Sequence, residues 1–262
     1  MKAVDLIAAL DLPASSRVDQ RVPKKLLLEN GAPTAADKRI INDGIEELLW
    51  LAALKPTTIG VPEYRDDVRE YLEIAVLRLT LRAAAKATRL VELVHRAVPY
   101  PLLLLTEQGD RSGLSAAHKR WSQGEAGKVV LEDGYPQMAQ IYADYNQGTH
   151  LRASASSVNN AFLANLALGK QPRSSLYALY QGWIDTLLAL QAARTTGAFA
   201  VADNAEHAAA RRDALQECAR LDAEITRLRA AAAKEKQMAR QVELNLELKR
   251  VEAARAAART NL

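Results

Sequence analysis

The chain has 262 residues, 49% of them hydrophobic but only 5% aromatic, and a net charge of +4 with a pI near 9.1. That length suffices for one sizeable core with an appendage, or for two domains, while the single cysteine, Cys218, excludes an intramolecular disulfide and a thiolate-rich metal site. No stretch approaches the ~20 apolar residues of a membrane-spanning helix, and Asp5 interrupts the apolar run at the N-terminus, so no signal peptide, no membrane contact and a cytoplasmic location are expected.

Residues 3–10 read as a short helix ending at Pro13. A basic patch, Arg21-Val-Pro-Lys-Lys25, then feeds Leu26, Leu27 and Leu28. Residues 35–54 read as one helix, with Ile41, Ile45, Leu48, Leu49 and Ala52 at helical spacing and Thr34 as its N-cap. Residues 57–61 suggest an edge strand. Over 71–82 a helical spacing competes with strict alternation of Leu77, Leu79 and Leu81, and the alternation predicts a strand with a bulge near Val76.

Helical spacing resumes over 83–97 and must stop there, because Pro99 and Pro101 push Val98 and Tyr100 out of the helical region. Four uninterrupted leucines, Leu102 to Leu105, then predict a central strand (101–106) buried on both faces. Strand, helix and strand make a βαβ crossover with the two strands parallel. The turn around Gly109-Asp110 predicts an antiparallel return strand over 114–118, and 127–132 a further strand. Residues 134–155 look like loop and domain boundary. Two amphipathic helices (157–168 and 175–195) follow, each stopped by a glycine. From Asn204 to Arg259 there is no proline or glycine; unbroken, this is a rod of roughly 80 Å, but its heptads are short, which favours a hairpin or a partner-binding helix.

The expected architecture is therefore α/β (α+β): a small mixed β-sheet with flanking helices over 1–150, a helical pair over 155–200, and a C-terminal region over 204–262 ending in a long helix or helical hairpin.

A metal nuclease needs acids beside the central strand, and the only acids at hand are Asp66, Asp67, Glu70 and Glu73. His95, His118, His150 and His207 are scattered, and His95 and His118 read as surface or cap residues. There is no phosphate-cradling glycine motif and no nucleophile elbow, so no catalytic residue, metal ligand or cofactor is assigned. Residues 76–128 carry nine Lys or Arg against four acids. Among them Arg78, Arg82, Arg111, Lys119 and Arg120, with Trp121 alongside, form a candidate phosphate-contacting surface for duplex DNA; the plain alternative is a charged, solvated sheet edge. In the near charge-balanced terminal segment, Leu221, Ile225, Leu228, Val242 and Leu246 are the candidate partner-binding residues.

Arg21-Val-Pro-Lys-Lys25, Glu73-Ile-Ala-Val76, His95-Arg-Ala-Val-Pro-Tyr-Pro-Leu-Leu-Leu104 and Gln241-Val-Glu-Leu-Asn-Leu-Glu-Leu-Lys249 together resemble the bacterial domain-of-unknown-function family 4391 over nearly the whole chain. Members are commonly encoded near helicases and DNA methyltransferases in clusters linked to defence against phage. The resemblance implies a non-catalytic accessory subunit beside a helicase or DNA methyltransferase subunit; a divergent metal-dependent nuclease and a homo-oligomeric scaffold are the alternatives.

Overall fold

The computed structural model describes residues 3–125, 128–132, 137–142 and 149–262. In chain order the elements are helix α1 (Ala3–Ala9), strand β1 (Arg17–Arg21), helices α2 (Lys24–Asn30) and α3 (Ala35–Gly44), strand β2 (Ile45–Leu54) and a single turn α4 (Pro56–Ile59). The short strands β3 (Tyr64–Arg65) and β4 (Glu70–Tyr71) pair with each other, and β5 (Ile74–Leu81), α5 (Ala87–Ala97), β6 (Leu102–Gln108) and β7 (Arg111–Ala117) follow. Strands β8 (Lys119–Trp121) and β9 (Val129–Leu131) make a second small hairpin. The rest comprises β10 (Gln137–Tyr142) and helices α6 (Thr149–Leu166), α7 (Leu176–Thr196), α8 (Ala205–Lys234) and α9 (Met238–Arg259).

The main sheet has six strands in the order β1-β2-β5-β6-β7-β10. Only β5 and β6 are parallel, paired from Ala75↔Leu102 to Thr80↔Glu107, and α5 makes the crossover between them. Leu102, Leu103, Leu104 and Leu105 are all fully buried, as a strand covered on both faces requires. One face packs Leu77, Leu79, Leu81, Leu102 and Leu104 against Leu27, Ile41, Leu90, Val91 and Val94 of α2, α3 and α5. Alternation sends Leu103 and Leu105 to the other face, where α1 contacts both β6 and α6. Helix α7 is tied there too: the Tyr180 hydroxyl donates to Leu102 O at 2.7 Å and accepts from Ala117 N at 2.8 Å, and Trp183 Nε1 donates to Leu166 O at 2.9 Å.

Two local expectations fail. The helix expected over 35–54 ends at Gly44, and β2 begins at Ile45. Thr34 does cap the helix, accepting from Asp37 N at 3.1 Å. The stop is tertiary: a Cβ on Gly44 would lie 2.7 Å from Leu90 Cδ1, and the residues after it have β5 to pair with. Residues 57–61 are no edge strand, since Pro56 opens a helical turn at the position proline favours. The bulge exists, but β2 carries it: Trp50 pairs with Leu77 and Ala52 with Val76, so the extra residue is Leu51.

The stretch expected to be loop, 134–155, holds β10 and the start of α6, while residues 133–136 and 143–148 lie outside the described residues. The chain divides into two compact units, 1–187 and 188–262, inside α7 rather than near residue 150. In the second unit the terminal segment is the helical hairpin that its short heptads favoured, not one unbroken rod. Helix α8, capped by Asn204, which accepts from His207 N at 2.9 Å, stops at Lys234, and α9 starts at Met238. Neither proline nor glycine makes the break; the Glu235 carboxylate accepts from the backbone N–H of Lys236 at 2.7 Å and Gln237 at 2.9 Å, offering the chain a turn in place of another helical bond. Arg229 to Glu252 (2.7 Å) and Arg255 to Asp222 (2.9 Å) fix the helices antiparallel.

Candidate functional site

The proline-flanked exit from α5 is where the clefts of the first unit converge. A cavity of ≈ 530 Å³ lies between Gly31, His95, Val98, Lys119 and the β9 strand. An apolar groove of ≈ 350 Å³ runs beneath Trp50, Leu26 and Tyr100, and one of ≈ 270 Å³ is bounded by Tyr100, Lys119 and Trp121. Segment 98–100 contributes to each, because residues restricted by the two prolines cannot continue α5 and stand away from the sheet before β6 begins.

Lys119 lies at the centre of this region. It opens β8 and is 4% exposed. Its ammonium donates to Val98 O and Tyr100 O, capping carbonyls at the C-terminal exit of α5, where a positive charge suits the helix dipole. Among the described residues no carboxylate pairs with it, and burial pulls its pKa down to about 7. His95, in the last turn of α5, is fully buried. Its Nε2 meets Ser115 Oγ at 2.9 Å, and its Nδ1 has no hydrogen-bond partner. Burial, and secondarily the charge on Lys119, holds the imidazole well below its usual pKa, so it is neutral. Arg96 and Lys128 stand on the rim with Glu29, each cation paired with a neighbour: Arg96 with Glu92 at 2.7 Å, Lys128 with Glu125 at 2.9 Å.

A second polar cluster lies between β4, β8 and α7. Tyr71 Oη meets His118 Nδ1 at 2.5 Å, and His118 Nε2 meets Gln181 Oε1 at 2.7 Å. Tyr64 and Tyr177 stack at 4.9 Å, and Arg69 lies 5.3 Å from the Tyr177 ring centroid. The cluster supplies its own cation, and Tyr71, His118 and Gln181 bond to one another, which suits a structural tie. His95 and His118 are thus interior, not surface residues. Both fall on apolar-periodic stretches, and that was the available signal.

The six residues of the expected DNA surface do not share one surface. Arg82 and Arg111 stand at the Gln108 end of the central strands, whereas Lys119, Arg120 and Trp121 follow Ala117, which pairs with Leu102 at the opposite end, about 20 Å away at strand rise. Arg78 lies between Glu47 at 3.5 Å and Glu107 at 3.8 Å. Lys119 is interior. The acids considered for a nuclease are dispersed: Asp66 accepts from Val68 N and Arg69 N, Glu70 pairs with Arg65, and Glu73 with Lys55 at 3.0 Å. Among the described residues no group of three His, Cys, Asp or Glu side chains is gathered to hold a metal.

Of the expected partner-binding residues, Leu221, Ile225 and Leu228 are buried, together with Ala214, Cys218 and Ala232 at regular heptad spacing; these hold the hairpin together. Val242 and Leu246 are 51% and 54% exposed, and Met238, one turn earlier, is 78% exposed. Helix α9 turns Leu244, Leu248 and Val251, all half-buried, to the opposite side, so it has two apolar faces and α8 occupies one.

Residues 10–254 match the family described as Domain of unknown function (DUF4391). The chain belongs to that family. The DUF4391 match spans the main sheet, both clusters and most of α9. No curated protein and no solved structure matches the chain. No helix among the described residues is long and apolar enough to cross a membrane.

Proposed function

We propose that this DUF4391 chain is a non-catalytic accessory subunit of a bacterial DNA-processing assembly of the phage-defence kind, docking through the outer face of α9 on a helicase or DNA methyltransferase subunit in the cytoplasm. The observation that supports this reading is the stripe Met238, Val242 and Leu246, one residue per turn at i, i+4 and i+8, exposed on a helix whose other apolar side already packs on α8. Apolar residues in that register are the usual anchors of helix-in-groove docking. Lys249 continues the stripe after Leu246, with Ala253 and Ala256 beyond it, so the groove that fits has an apolar floor and an acidic end.

Contact with duplex DNA is a lesser part of this proposal and rests on Arg82 and Arg111, which share the Gln108 end of the central strands. The test is co-purification of the full chain with a bacterial helicase and a DNA methyltransferase, each co-expressed with it, in wild type and in Met238→Glu/Val242→Glu/Leu246→Glu. Loss of the complex with α-helical content intact is the expected result; a complex indifferent to the triple substitution overturns the assignment of α9. Light scattering separates the scaffold alternative, for which the wild-type chain alone is oligomeric and the triple variant monomeric.

A further inference from the structure

Exposed apolar side chains are not scattered evenly over this chain. Among the described residues eight large ones are exposed. Three form the α9 stripe and Val4 lies on α1, but the other four, Leu26, Val68, Leu72 and Tyr100, belong to one strip of the first unit. Tyr100, 44% exposed, is the ridge between two grooves: with Leu26 and Trp50 it bounds the ≈ 350 Å³ groove, and with Leu72 and Trp121 the ≈ 270 Å³ one. Val68 extends the second, since its carbonyl accepts from Trp121 N at 2.8 Å. The ridge is held in place, because Pro99 and Pro101 restrict the backbone on either side and the Tyr100 carbonyl accepts from the Lys119 ammonium. An aromatic, apolar surface that is fixed before anything binds is what protein recognition sites offer to anchor residues.

The charges along the strip indicate what would occupy it. Its carboxylates are already answered: Glu70 pairs with Arg65, and Asp66 with Arg69, which also meets Glu132 at 3.4 Å. Two arginines remain available, one on each groove. Arg120, half-buried in β8, has no carboxylate partner among the described residues, and its Nη1 reaches the Trp121 carbonyl at 3.5 Å. The Arg21 side chain is 71% exposed and its Nε lies 3.9 Å from Glu47 Oε1, a separation at which an exposed pair holds the guanidinium weakly; Glu47 is moreover shared with Arg78. The strip is therefore apolar at its centre and positive at its margins. Nucleic acid fits it poorly, because a phosphate repeat needs a row of cations and the walls of the larger groove, Val22, Pro23, Leu27 and Leu77, offer base edges nothing to hydrogen-bond.

We propose that this strip docks an extended acidic peptide segment of a protein partner, which seats one bulky apolar side chain in each groove, astride Tyr100, and sets its carboxylates against Arg21 and Arg120. The surface belongs to the first unit and uses no residue of α9, so it is a second protein-binding site.

Short random peptides displayed on phage are selected on the immobilised full chain, and the enriched sequence is made as a labelled synthetic peptide for fluorescence polarisation. Bulky apolar residues among Asp and Glu are expected, with binding weakened about tenfold or more by Tyr100→Ser and by Arg120→Glu and unchanged by Met238→Glu/Val242→Glu/Leu246→Glu. Replacing the peptide's acids with lysine is expected to abolish binding to wild type and to restore it to Arg21→Glu/Arg120→Glu, a reversal that a misfolded variant does not give. Enriched peptides without acids overturn the charge assignment. Peptides that bind Tyr100→Ser as tightly as wild type, or no enrichment at all, overturn the site, and loss of binding in the α9 variant moves the peptide to the arm. Labelled oligothymidylate that binds wild type but not Tyr100→Ser overturns the peptide in favour of single-stranded nucleic acid.

Discussion

Arg89 and Asp37 join helix α5 to the first turn of α3 through two parallel hydrogen bonds, Nε to Oδ1 at 2.8 Å and Nη2 to Oδ2 at 3.0 Å. The same carboxylate accepts from Thr34 Oγ1 at 2.7 Å, so one side chain fixes the start of α3 and the place where α5 crosses it. The Arg89 bonds, then the Thr34 bond, hold the Asp37 pKa below its ordinary value. A depressed carboxylate pKa contributes stability that is full above the unfolded value, near pH 4, and is lost as pH falls through the folded value. Asp37→Asn is therefore expected to melt below wild type at neutral pH, and the gap to shrink in strong acid. Thermal denaturation across that range checks this; a gap independent of pH counts against it.

Gly31 closes α2 against α5 at a distance no side chain tolerates. A Cβ there would lie 2.6 Å from Ala97 Cβ and 2.7 Å from Leu93 O. Its backbone is in an ordinary region, with φ −121°, so the requirement is one of space. Gly31→Ala is expected to destabilise by about 1–3 kcal/mol through overpacking. Adding Ala97→Gly is expected to restore part of the loss in chemical denaturation, and no restoration would locate the strain elsewhere.

Lys119 gives the opposite pH sense to Asp37. Burial holds its folded pKa at about 7 against 10.5 for an ordinary lysine, so between those values the unfolded chain binds the extra proton and stability rises with pH. Wild type is expected to gain on Lys119→Met by an amount on the order of a few kcal/mol from neutral to strongly alkaline pH. Paired urea titrations at the two ends of that window measure it. A constant difference would mean that the ammonium is as well solvated in the fold as outside it.

The turn between α8 and α9 depends on one carboxylate. Hydrogen bonds from the Gln237 and Lys236 amides lower the Glu235 pKa, so the turn is strongest above the usual carboxylate range and weakens as pH falls below it. Glu235→Ala is expected to loosen the hairpin and increase amide exchange around 235–241, leaving the main sheet untouched. Within the seam, Leu228→Ala, at a site that is fully buried, is expected to cost about 2–5 kcal/mol.

Much of the central architecture was legible because its causes are local. Pro99 and Pro101 end α5, four leucines demand burial on both faces, and Gly109, at φ 61°, turns the chain into β7. Residues 45–54 misled because Ile45, Leu48, Leu49 and Ala52 fit a helix as well as a strand, and the deciding neighbours, Leu90 beside Gly44 and the pairing edge of β5, are distant in sequence. The same limit applies to the clefts. Lys119 reads as one more basic residue in a basic stretch, since nothing near it in sequence reveals that Val98 O and Tyr100 O will enclose its ammonium. The break at 235 was legible in part, because the apolar seam weakens through Ala232 and Glu235 and resumes in another phase at Val242, although a turn made by a glutamate side chain has the composition of a helix.

Strand β1 consists of Arg17, Val18, Asp19, Gln20 and Arg21, almost wholly exposed, with a register shift between Arg17 and Gln20 and Asp19 at φ 48°. A second chain approaching that border to share a ladder would have to strip water from three charged side chains and match a backbone out of step with its own. Cross-β pairing is therefore disfavoured at the β1 border, whose neighbour β2 belongs to the same sheet as the leucine run of β6.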